Sequence, residues 1–346
     1  MEQKIPIIMC IDVEPDGFFI DRNKPLPWKG YEGAYRHFSE LRPRLEEATG
    51  SPVHFTWAYR LDPQVAKTYG SPEWPIVNYP KFVEDFLKKG DEIALHSHAY
   101  RWEKKINNWI EDLGNQEWVN HCVEMGFDCY RRVFGRNCEL FRFGAFWIST
   151  ETLNLAERLG AKFDLTVEPG FRLEKRDFHA ELYSASLPDY DHVPREPYHP
   201  TRTDFAKPDS NRRDGIWIIP MSTSLITYKF GRLATLYKKI VSPNDLKPRP
   251  VTLNWARGVN GFRFVMEDCL KSLKHPYLFM VLRSDVCSDS PFDPGMQENM
   301  KKNVDYIMNH PLAKQFAFTT PAKMMETLGY IENSPDKIRM DSAEIR

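Results

Sequence analysis

The stretch Gly90–Trp102, GDEIALHSHAYRW, combines a short apolar strand with two histidines at the point where the strand ends. Alternate side chains of an extended backbone point to the same face, so His96 and His98 can contact one common ligand. Imidazole is the commonest protein ligand for transition metals. The segment therefore predicts a strand that presents a metal-binding pair at its carboxyl end.

A second pair of ligand-type residues follows the first apolar run of the chain. In IDVEPDG, residues 11–17, Asp12 and Glu14 alternate in the same way at the end of a predicted strand. Carboxylates and imidazoles are the usual ligands of hydrolytic metal sites. Two strand ends that each carry such a pair suggest one shared site, although an isolated Asp or Glu at a strand end is often only a turn or cap residue.

Composition and charge limit the classes of function. The chain has 346 residues, 42% of them hydrophobic, and a formal net charge of −1, which implies no general attraction to nucleic acid or to an anionic membrane. No apolar segment has the length of a membrane span, and Asp12 and Glu14 interrupt any leader-type apolar run. None of the six cysteines forms a CxxC pair, so we expect free thiols and a cytoplasmic protein.

Strands and helices alternate along the chain. We predict strands at 5–11, 53–58, 93–96, 140–143, 162–167, 215–221, 277–282 and 315–319, and helices at 80–89, 117–134, 150–159, 262–273, 296–308 and 321–328. Repeated βα units without a nucleotide-binding glycine motif favour a barrel, with the chemistry at the carboxyl ends of the strands. We assign 1–333 to one barrel domain with long loops at 170–214, and 334–346 to a polar tail.

The order of the motifs resembles that of the polysaccharide deacetylase family, the NodB-homology enzymes of carbohydrate esterase family 4. The segments that carry the resemblance are IDVEPDG (11–17), VHFTWAYRLDP (53–63), FVEDFLKKGDEIALHSH (82–98), FRFGAFWISTETLNLAERLGAKFD (141–164), PYHPTRTDF (197–205), GIWIIPMS (215–222), LFMVLRSDV (278–286) and FAFTTPAKM (316–324). The resemblance implies an α/β fold, a distorted (β/α)7 barrel, with a divalent metal that assists hydrolysis of an amide or ester on a sugar.

The resemblance also implies the ligands of that metal. Glu14 corresponds to the acidic ligand and His96 to the first histidine of the family. The second family histidine lies four residues later, where this chain has Tyr100, so His98 is expected to serve instead. One carboxylate and two imidazoles suit zinc, iron or cobalt, and we expect zinc.

Two further roles follow from the resemblance. Asp12 corresponds to the general base, which would take a proton from a metal-bound water, and Arg142 to the residue that orients it. An adjacent cation favours the charged form of a carboxylate, which suits this role. Arg142 taken alone has the alternative explanation of an ordinary salt bridge.

The general acid cannot be assigned from the motifs. The last family motif supplies a histidine where this chain has Arg283, and arginine does not give up its proton usefully. Arg283 could stabilise an oxyanion instead, which would leave Asp285 or a loop histidine, His192 or His199, as the acid.

Several other residues are candidates for contact with substrate. They are Arg60, Asp62, Tyr100, Trp102, Trp147, His199 and Arg283. Each class also has a structural explanation: an ion pair without function for Arg60 and Asp62, core packing for the tryptophans, and exposure on a loop for His199.

These observations predict a metal-dependent deacetylase or amidohydrolase that removes an acyl group from an acylamino sugar or a glycan precursor. The expected partner is therefore a carbohydrate, with no nucleic acid and no membrane span. The departures at Tyr100 and Arg283 leave open a catalytically silent glycan-binding barrel. A hydrolase of non-sugar C–N bonds is a further alternative, because some relatives of this barrel cleave such amides.

Overall fold

A computed structural model describes residues 4–17, 25–171, 184–185, 188–227, 239, 241, 247–289 and 294–332. Its strands are β1 (Ile5–Val13), β2 (Thr56–Arg60), β3 (Glu92–Ser97), β4 (Tyr100–Glu103), β5 (Asn108–Glu111), β6 (Leu140–Phe143), β7 (Phe163–Asp164), β8 (Trp217–Ile218), β9 (Thr223–Ile226), β10 (Arg249–Thr252), β11 (Leu278–Arg283) and β12 (Phe316–Phe318). Its helices are α1 (Lys29–Thr49), α2 (Pro63–Tyr69), α3 (Trp74–Val77), α4 (Pro80–Lys88), α5 (Gln116–Phe134), α6 (Thr150–Arg158), α7 (Val259–Ser272), α8 (Pro294–Met308) and α9 (Pro321–Thr327).

The central sheet is parallel throughout. Seven strands form the order β11-β1-β2-β3-β6-β7-β8, and β12 pairs with the beginning of β1. The sheet curls so that Ser222, just after β8, meets Phe279 of β11: the Ser222 N–H donates to the Phe279 carbonyl at 3.1 Å, and the Ser222 hydroxyl accepts from the Phe279 N–H at 2.8 Å. This curled sheet with intervening helices confirms the predicted distorted (β/α)7 barrel class.

Each strand has one face toward the helices and one toward the inside of the curl. On β1, Ile7, Met9 and Ile11 belong to the core beneath the helices, whereas Ile8 and Cys10 belong to the core inside the curl. Successive side chains of a strand point to opposite faces, so a strand buried on both faces contributes alternate residues to two parts of the core. This alternation decides which residues can meet inside the barrel.

The inside positions change from apolar to polar toward the carboxyl ends of the strands. Continuing the same alternation, Asp12 and Glu14 follow Cys10, Arg60 follows Ala58, His96 follows Ala94, Arg142 follows Leu140, and Arg283 follows Val281. Helix α9 contributes Met324 and Met325 to the apolar part of this interior. An apolar base and a polar rim place the chemistry at the carboxyl end, as barrels of this type do.

Helix α1 is the longest helix described, and the sequence patterns did not predict it. It contains Gly30, Gly33 and Pro43, all unfavourable in helix interiors, so its stability comes from tertiary packing. The glycines allow close approach to the turn after β11, since a Cβ on Gly33 would lie 2.0 Å from the Cys287 carbonyl oxygen.

Asp91 in the opening motif is structural. Arg42 of α1 donates two bonds to its carboxylate, at 2.9 and 2.7 Å, and the carboxylate also accepts from the Phe55 N–H and the Trp57 indole, each at 3.0 Å. This fully buried carboxylate therefore ties α1 to the start of β2 and β3. A buried ion pair with all acceptors satisfied tolerates the loss of neither partner.

The other sequence predictions have mixed outcomes. The strands expected at 162–167 and 215–221 shorten to β7 and β8, and the two hairpins β4–β5 and β9–β10 were not predicted. The six cysteines form no disulfide, as expected. The tail and residues 172–183 of the predicted long loop lie outside the described residues, so the domain boundaries stay a prediction. None of the helices described has both the length and the apolar character needed to cross a membrane.

Candidate metal centre and hydrolytic site

Strand register aligns the polar residues in two rows. Asp12 pairs with Arg283 between β1 and β11, and His96 lies between Arg60 of β2 and Arg142 of β6. Because all these strands are parallel, their carboxyl ends meet on one side of the sheet. The sequence motifs therefore converge, although Asp12 and Arg283 are 271 positions apart in the sequence.

Glu14, His96 and His98 form a buried cluster of metal-ligand type. One ligand atom from each lies within 4.8 Å of the others. The Nε2 atoms of His96 and His98 are 3.2 Å apart, and the Nε2 atom of His96 is 3.5 Å from Oε1 of Glu14. None of the three residues is more than 5% exposed.

The other ring nitrogen of each histidine faces an acceptor. Nδ1 of His98 is 2.7 Å from Oε1 of Glu111, and Nδ1 of His96 is 3.2 Å from the carbonyl oxygen of Arg142. Neutral rings in these contacts carry their proton on Nδ1, a tautomer assigned from the acceptors. Both Nε2 atoms are then acceptors, and they face each other and the Glu14 carboxylate.

Three acceptors that converge without a proton between them repel one another unless a cation lies among them. Histidine ligands of zinc show this same arrangement, with the distal ring nitrogen bonded to a carboxylate or carbonyl. The donor set therefore fits a divalent metal of borderline softness. Three protein ligands leave a further position for water or substrate.

The protonation states suit ligand binding. Burial, together with the charges of Arg60 and His96, lowers the pKa of His98 well below its ordinary value. Burial alone would raise the pKa of the Glu14 carboxyl, but the positive charge of Arg283 opposes this most strongly, and the pKa lies well below the usual range. At neutral pH His98 is therefore neutral and Glu14 is ionised.

The two oxygens of Glu14 have different neighbours. Oε1 faces His96, while Oε2 lies 3.1 Å from Nη1 of Arg283 and 3.8 Å from Nη1 of Arg60. Arg283 thus neutralises one oxygen and leaves the other for the metal position. This geometry favours a monodentate carboxylate ligand.

Asp12 lies beside the cluster and is held by Arg142. The Nε of Arg142 donates to both carboxylate oxygens, at 2.9 and 3.2 Å, and its Nη1 donates to the Leu165 carbonyl at 2.8 Å. Burial disfavours the charged guanidinium, but Asp12 more than compensates and raises the pKa of Arg142. The pair is therefore a fixed carboxylate and a permanent cation.

Backbone features position two of the ligands. A Cβ on Gly144 would lie 2.2 Å from the His98 ring, so only glycine allows that ring to sit against the end of β6. The Ser284 hydroxyl accepts from the Glu14 N–H at 3.0 Å and donates to the Glu14 carbonyl at 3.1 Å. Ser284 thus fixes the backbone just beyond β1.

The β4–β5 hairpin supports His98. It pairs Tyr100 with Glu111, which brings the Glu111 carboxylate to Nδ1 of His98. The Tyr100 ring stacks on the His98 ring with centroids 5.1 Å apart, and the Arg60 guanidinium lies 5.3 Å from the centroid of the Tyr100 ring. Tyr100 therefore packs against His98, the residue predicted to serve as the second histidine ligand.

These residues line a cavity of about 310 Å³. Of the predicted site residues, the cavity wall includes Asp12, Glu14, His96, His98, Tyr100, Arg142 and Arg283. The sequence analysis missed other residues of the wall, among them Glu111, Phe146, Glu168, Asn254 and Arg257. Glu168 directly follows the predicted strand 162–167, so the rule that chemistry follows strand ends would have found it. Glu111 gave no such signal, because it lies in an unpredicted hairpin.

The remaining predicted site residues do not lie on the cavity wall. They are Arg60, Asp62, Trp102, Trp147, His199 and Asp285. Arg60 and Asp62 form the expected ion pair at 2.8 Å; both are buried, and Asp62 caps α2.

The aromatic candidates and Asp285 have other partners. Trp102 packs against Trp109, and Trp147 against Phe143, while the neighbouring Phe146 faces the cavity instead. The His199 ring packs on Trp217 with centroids 3.8 Å apart, and His192 is exposed. Asp285 is held by Arg283, with contacts of 3.2 Å and 3.0 Å. Roles in substrate binding or catalysis for these residues stay predictions.

No protein-family model matches the sequence, and no curated protein is significantly similar to it. Most of the solved structures with a similar fold are polysaccharide or peptidoglycan deacetylases, the family that the motifs resemble. A protein from Mycobacterium smegmatis assigned as a polysaccharide deacetylase is 10% identical, with 98% of this chain and 96% of that chain covered and a TM-score of 0.43.

Two further structures show the range of these similarities. A peptidoglycan N-acetylglucosamine deacetylase is 10% identical, with coverage of 93% of this chain and 88% of that chain and a TM-score of 0.41. A 4-alpha-glucanotransferase from Thermococcus litoralis is 11% identical, with 94% of this chain aligned to only 40% of that chain and a TM-score of 0.45. Function is therefore inferred from the side chains of the site.

Proposed function

We propose that this chain is a metal-dependent hydrolase that removes an acyl group from an acylamino sugar or a glycan precursor. One observation carries the proposal. A buried cluster of three acceptors, Glu14, His96 and His98, shares a cavity with a carboxylate, Asp12, that an arginine holds in place. A metal position and a neighbouring base together suit the hydrolysis of an unactivated amide.

Glu14, His96 and His98 would hold the metal through one carboxylate oxygen and two Nε2 atoms. A divalent metal at this position would polarise the acyl carbonyl and make water more acidic. The protein supplies the orientation of the ligands: Glu111 and the Arg142 carbonyl fix the two rings. Zinc is the metal we expect from this donor set.

Asp12 is suited to accept a proton from the attacking water. Its carboxylate faces the cavity, and the bond from Arg142 to both oxygens leaves it no freedom to turn away. Arg283 supplies a second permanent cation on the cavity wall. Burial alone would lower the pKa of its guanidinium, but the negative charges of Glu14 and Asp285 outweigh burial and raise that pKa. The charge of Arg283 can stabilise the oxyanion that forms when water attacks the carbonyl.

A carbohydrate substrate is supported by the motif resemblance and by aromatic groups on the cavity wall. Phe146, Phe171 and Tyr190 line the same cavity, and Phe146 is exposed. Aromatic faces stack on the apolar faces of sugar rings or on acyl groups. The same surface would accept a planar non-sugar amide, so the substrate panel must include both classes.

The test is release of acetate from N-acetylglucosamine oligomers, nucleotide-linked N-acetyl sugars and non-sugar N-acetyl amines. We expect the zinc-loaded protein to release acetate from an acylamino sugar, to lose this activity in excess chelator, and to regain it when zinc is restored. Asp12→Asn should bind zinc as the wild type does and release no acetate.

Other outcomes would contradict the proposal. Sugar binding with no acetate from the wild type would indicate the silent glycan-binding barrel. Acetate from non-sugar amines alone would indicate the non-sugar C–N hydrolase. Turnover unaffected by chelator would exclude the metal.

A further inference from the structure

The proposed hydrolysis needs a proton donor for the departing amine, because an amine anion is too poor a leaving group at neutral pH. Arg283 occupies the place where the sequence led us to look for an acid, and it cannot give up its proton usefully. Asp285 accepts bonds from Arg283 at both carboxylate oxygens and does not line the cavity. The acid must therefore come from another element.

Glu168 is a buried carboxyl group on the cavity wall that none of the steps above uses. It follows β7 and is 4% exposed. Its Oε2 accepts a bond from the Thr252 hydroxyl. Its Oε1 is buried and has no hydrogen-bond partner among the described residues.

A carboxylate with an unpartnered buried oxygen is costly, whereas a protonated carboxyl group in the same place buries less charge and offers a donor. Burial raises the pKa of Glu168 above its ordinary value, and the opposing effects of Thr252, Arg142 and Arg257 do not cancel that rise. The charged and titratable groups that interact with it are Asp12 on β1, Arg142 on β6, Tyr190 in the following loop and Arg257 after β10.

Asp12 and Glu168 thus have opposite environments in one cavity. Asp12 accepts two contacts from a guanidinium, whereas within the described part of the chain Glu168 has a neutral hydroxyl partner on one oxygen and no partner on the other. A carboxyl group held by a guanidinium beside a second, buried carboxyl group held by a neutral hydroxyl is an arrangement suited to a base and an acid.

We propose that Glu168 is the general acid of the reaction, an inference that rests on the proposed function. The attacking water gives one proton to Asp12 as its oxygen bonds to the acyl carbon. The C–N bond then breaks, its electron pair goes to nitrogen, and Glu168 gives its proton to that nitrogen. The products are a carboxylic acid and an amine; Asp12 then releases its proton to solvent and Glu168 regains one from solvent, which restores both groups.

The test compares two substrates that differ in their need for an acid. An N-acetyl sugar has a poor leaving group, whereas 4-nitrophenyl acetate releases a stable phenolate without protonation. We expect Glu168→Gln to lower turnover of the amide by about 10²–10⁴-fold and that of the ester by only a few-fold. Glu168→Asp, which keeps an acidic group, should recover part of the amide activity.

The pH profile gives a second measurement that a structural role would not change. Glu168 must be protonated to act, so amide turnover should fall as pH rises through its pKa. Glu168→Gln should lack this fall. Thr252→Val removes the hydrogen bond that lowers the pKa of Glu168, so it should move the fall to higher pH.

Two results would overturn the inference while leaving the proposed function intact: full amide turnover by Glu168→Gln, or an equal loss on both substrates by a folded variant. A wild type that hydrolyses neither substrate when loaded with zinc would instead contradict the proposed function, and the inference with it.

Discussion

The Nε of Arg142 lies 2.9 and 3.2 Å from the two carboxylate oxygens of Asp12, so one donor fixes the whole group. Arg142 is in turn anchored at the Leu165 carbonyl, 2.8 Å from its Nη1. The contact joins β1 to β6 across the inside of the barrel. It orients the proposed base toward the cluster of Glu14 and the two histidines.

Arg142→Lys should keep a positive charge near Asp12 and lose the fixed planar geometry. Turnover of the acylamino substrate should fall by about 10²-fold, because small displacements of a catalytic group have effects of this size. The free energy of unfolding should fall by about 1 kcal/mol through loss of the bond to Leu165. Steady-state kinetics and urea unfolding measure the two effects.

Arg101→Lys is a matched control, since Arg101 also donates through Nε to an aspartate, Asp112, at 2.7 Å but does not line the cavity. It should leave turnover unchanged. Equal turnover by Arg142→Lys and the wild type would remove Arg142 from the account of catalysis.

Glu111→Gln should weaken zinc binding by about 10-fold or somewhat more. The Glu111 carboxylate holds His98 through Nδ1 at 2.7 Å, and replacing such a partner reduces metal affinity by about 10–100-fold. Competition titration with a zinc chelator measures this. Glu103→Gln, in the same hairpin and partly exposed, is the control and should bind as the wild type does. Unchanged affinity in Glu111→Gln would show that His98 does not depend on this carboxylate.

Asp164 predicts a pH dependence of stability. Burial raises the pKa of this carboxyl to about 6, against bonds from Thr166 that lower it. Its protonated form is therefore favoured in the folded state, and the stability that this gives is present below about pH 4 and lost as pH rises to about 6.

Asp164→Asn, which mimics the protonated form, should lack that loss. Relative to the variant, the free energy of unfolding of the wild type should fall by roughly 2–3 kcal/mol between pH 4 and pH 7. Urea unfolding at intervals of one pH unit, in chelator, measures the difference. The exposed Asp128→Asn should follow the wild type throughout. A constant difference between wild type and Asp164→Asn would mean that Asp164 ionises as it does in water.

The part of the site that the sequence predicted depends on local strand geometry. Alternation fixes the faces of Asp12, Glu14, His96 and His98, and parallel pairing brings their strand ends together. Arg142 joined them for the same reason. These relationships need only the period of a strand and the direction of the chain.

The missed parts depend on long-range packing. Glu111 reaches His98 only because an unpredicted hairpin folds back at Tyr100. Glu168 is significant because none of the residues that the structure describes bonds its buried Oε1. Helix α1 has glycine and proline inside it and gains its stability from the barrel. The pattern of residues 146–147 likewise does not reveal that Phe146, rather than Trp147, faces the cavity.

Anomalous diffraction from crystals of the zinc-loaded protein tests the metal centre most directly. We expect one zinc per chain, with Nε2 of His96, Nε2 of His98 and one oxygen of Glu14 each at about 2.0–2.2 Å. Glu14 should keep its other oxygen on Arg283. A protein that holds no zinc at this cluster, or holds it without His98, would contradict the account.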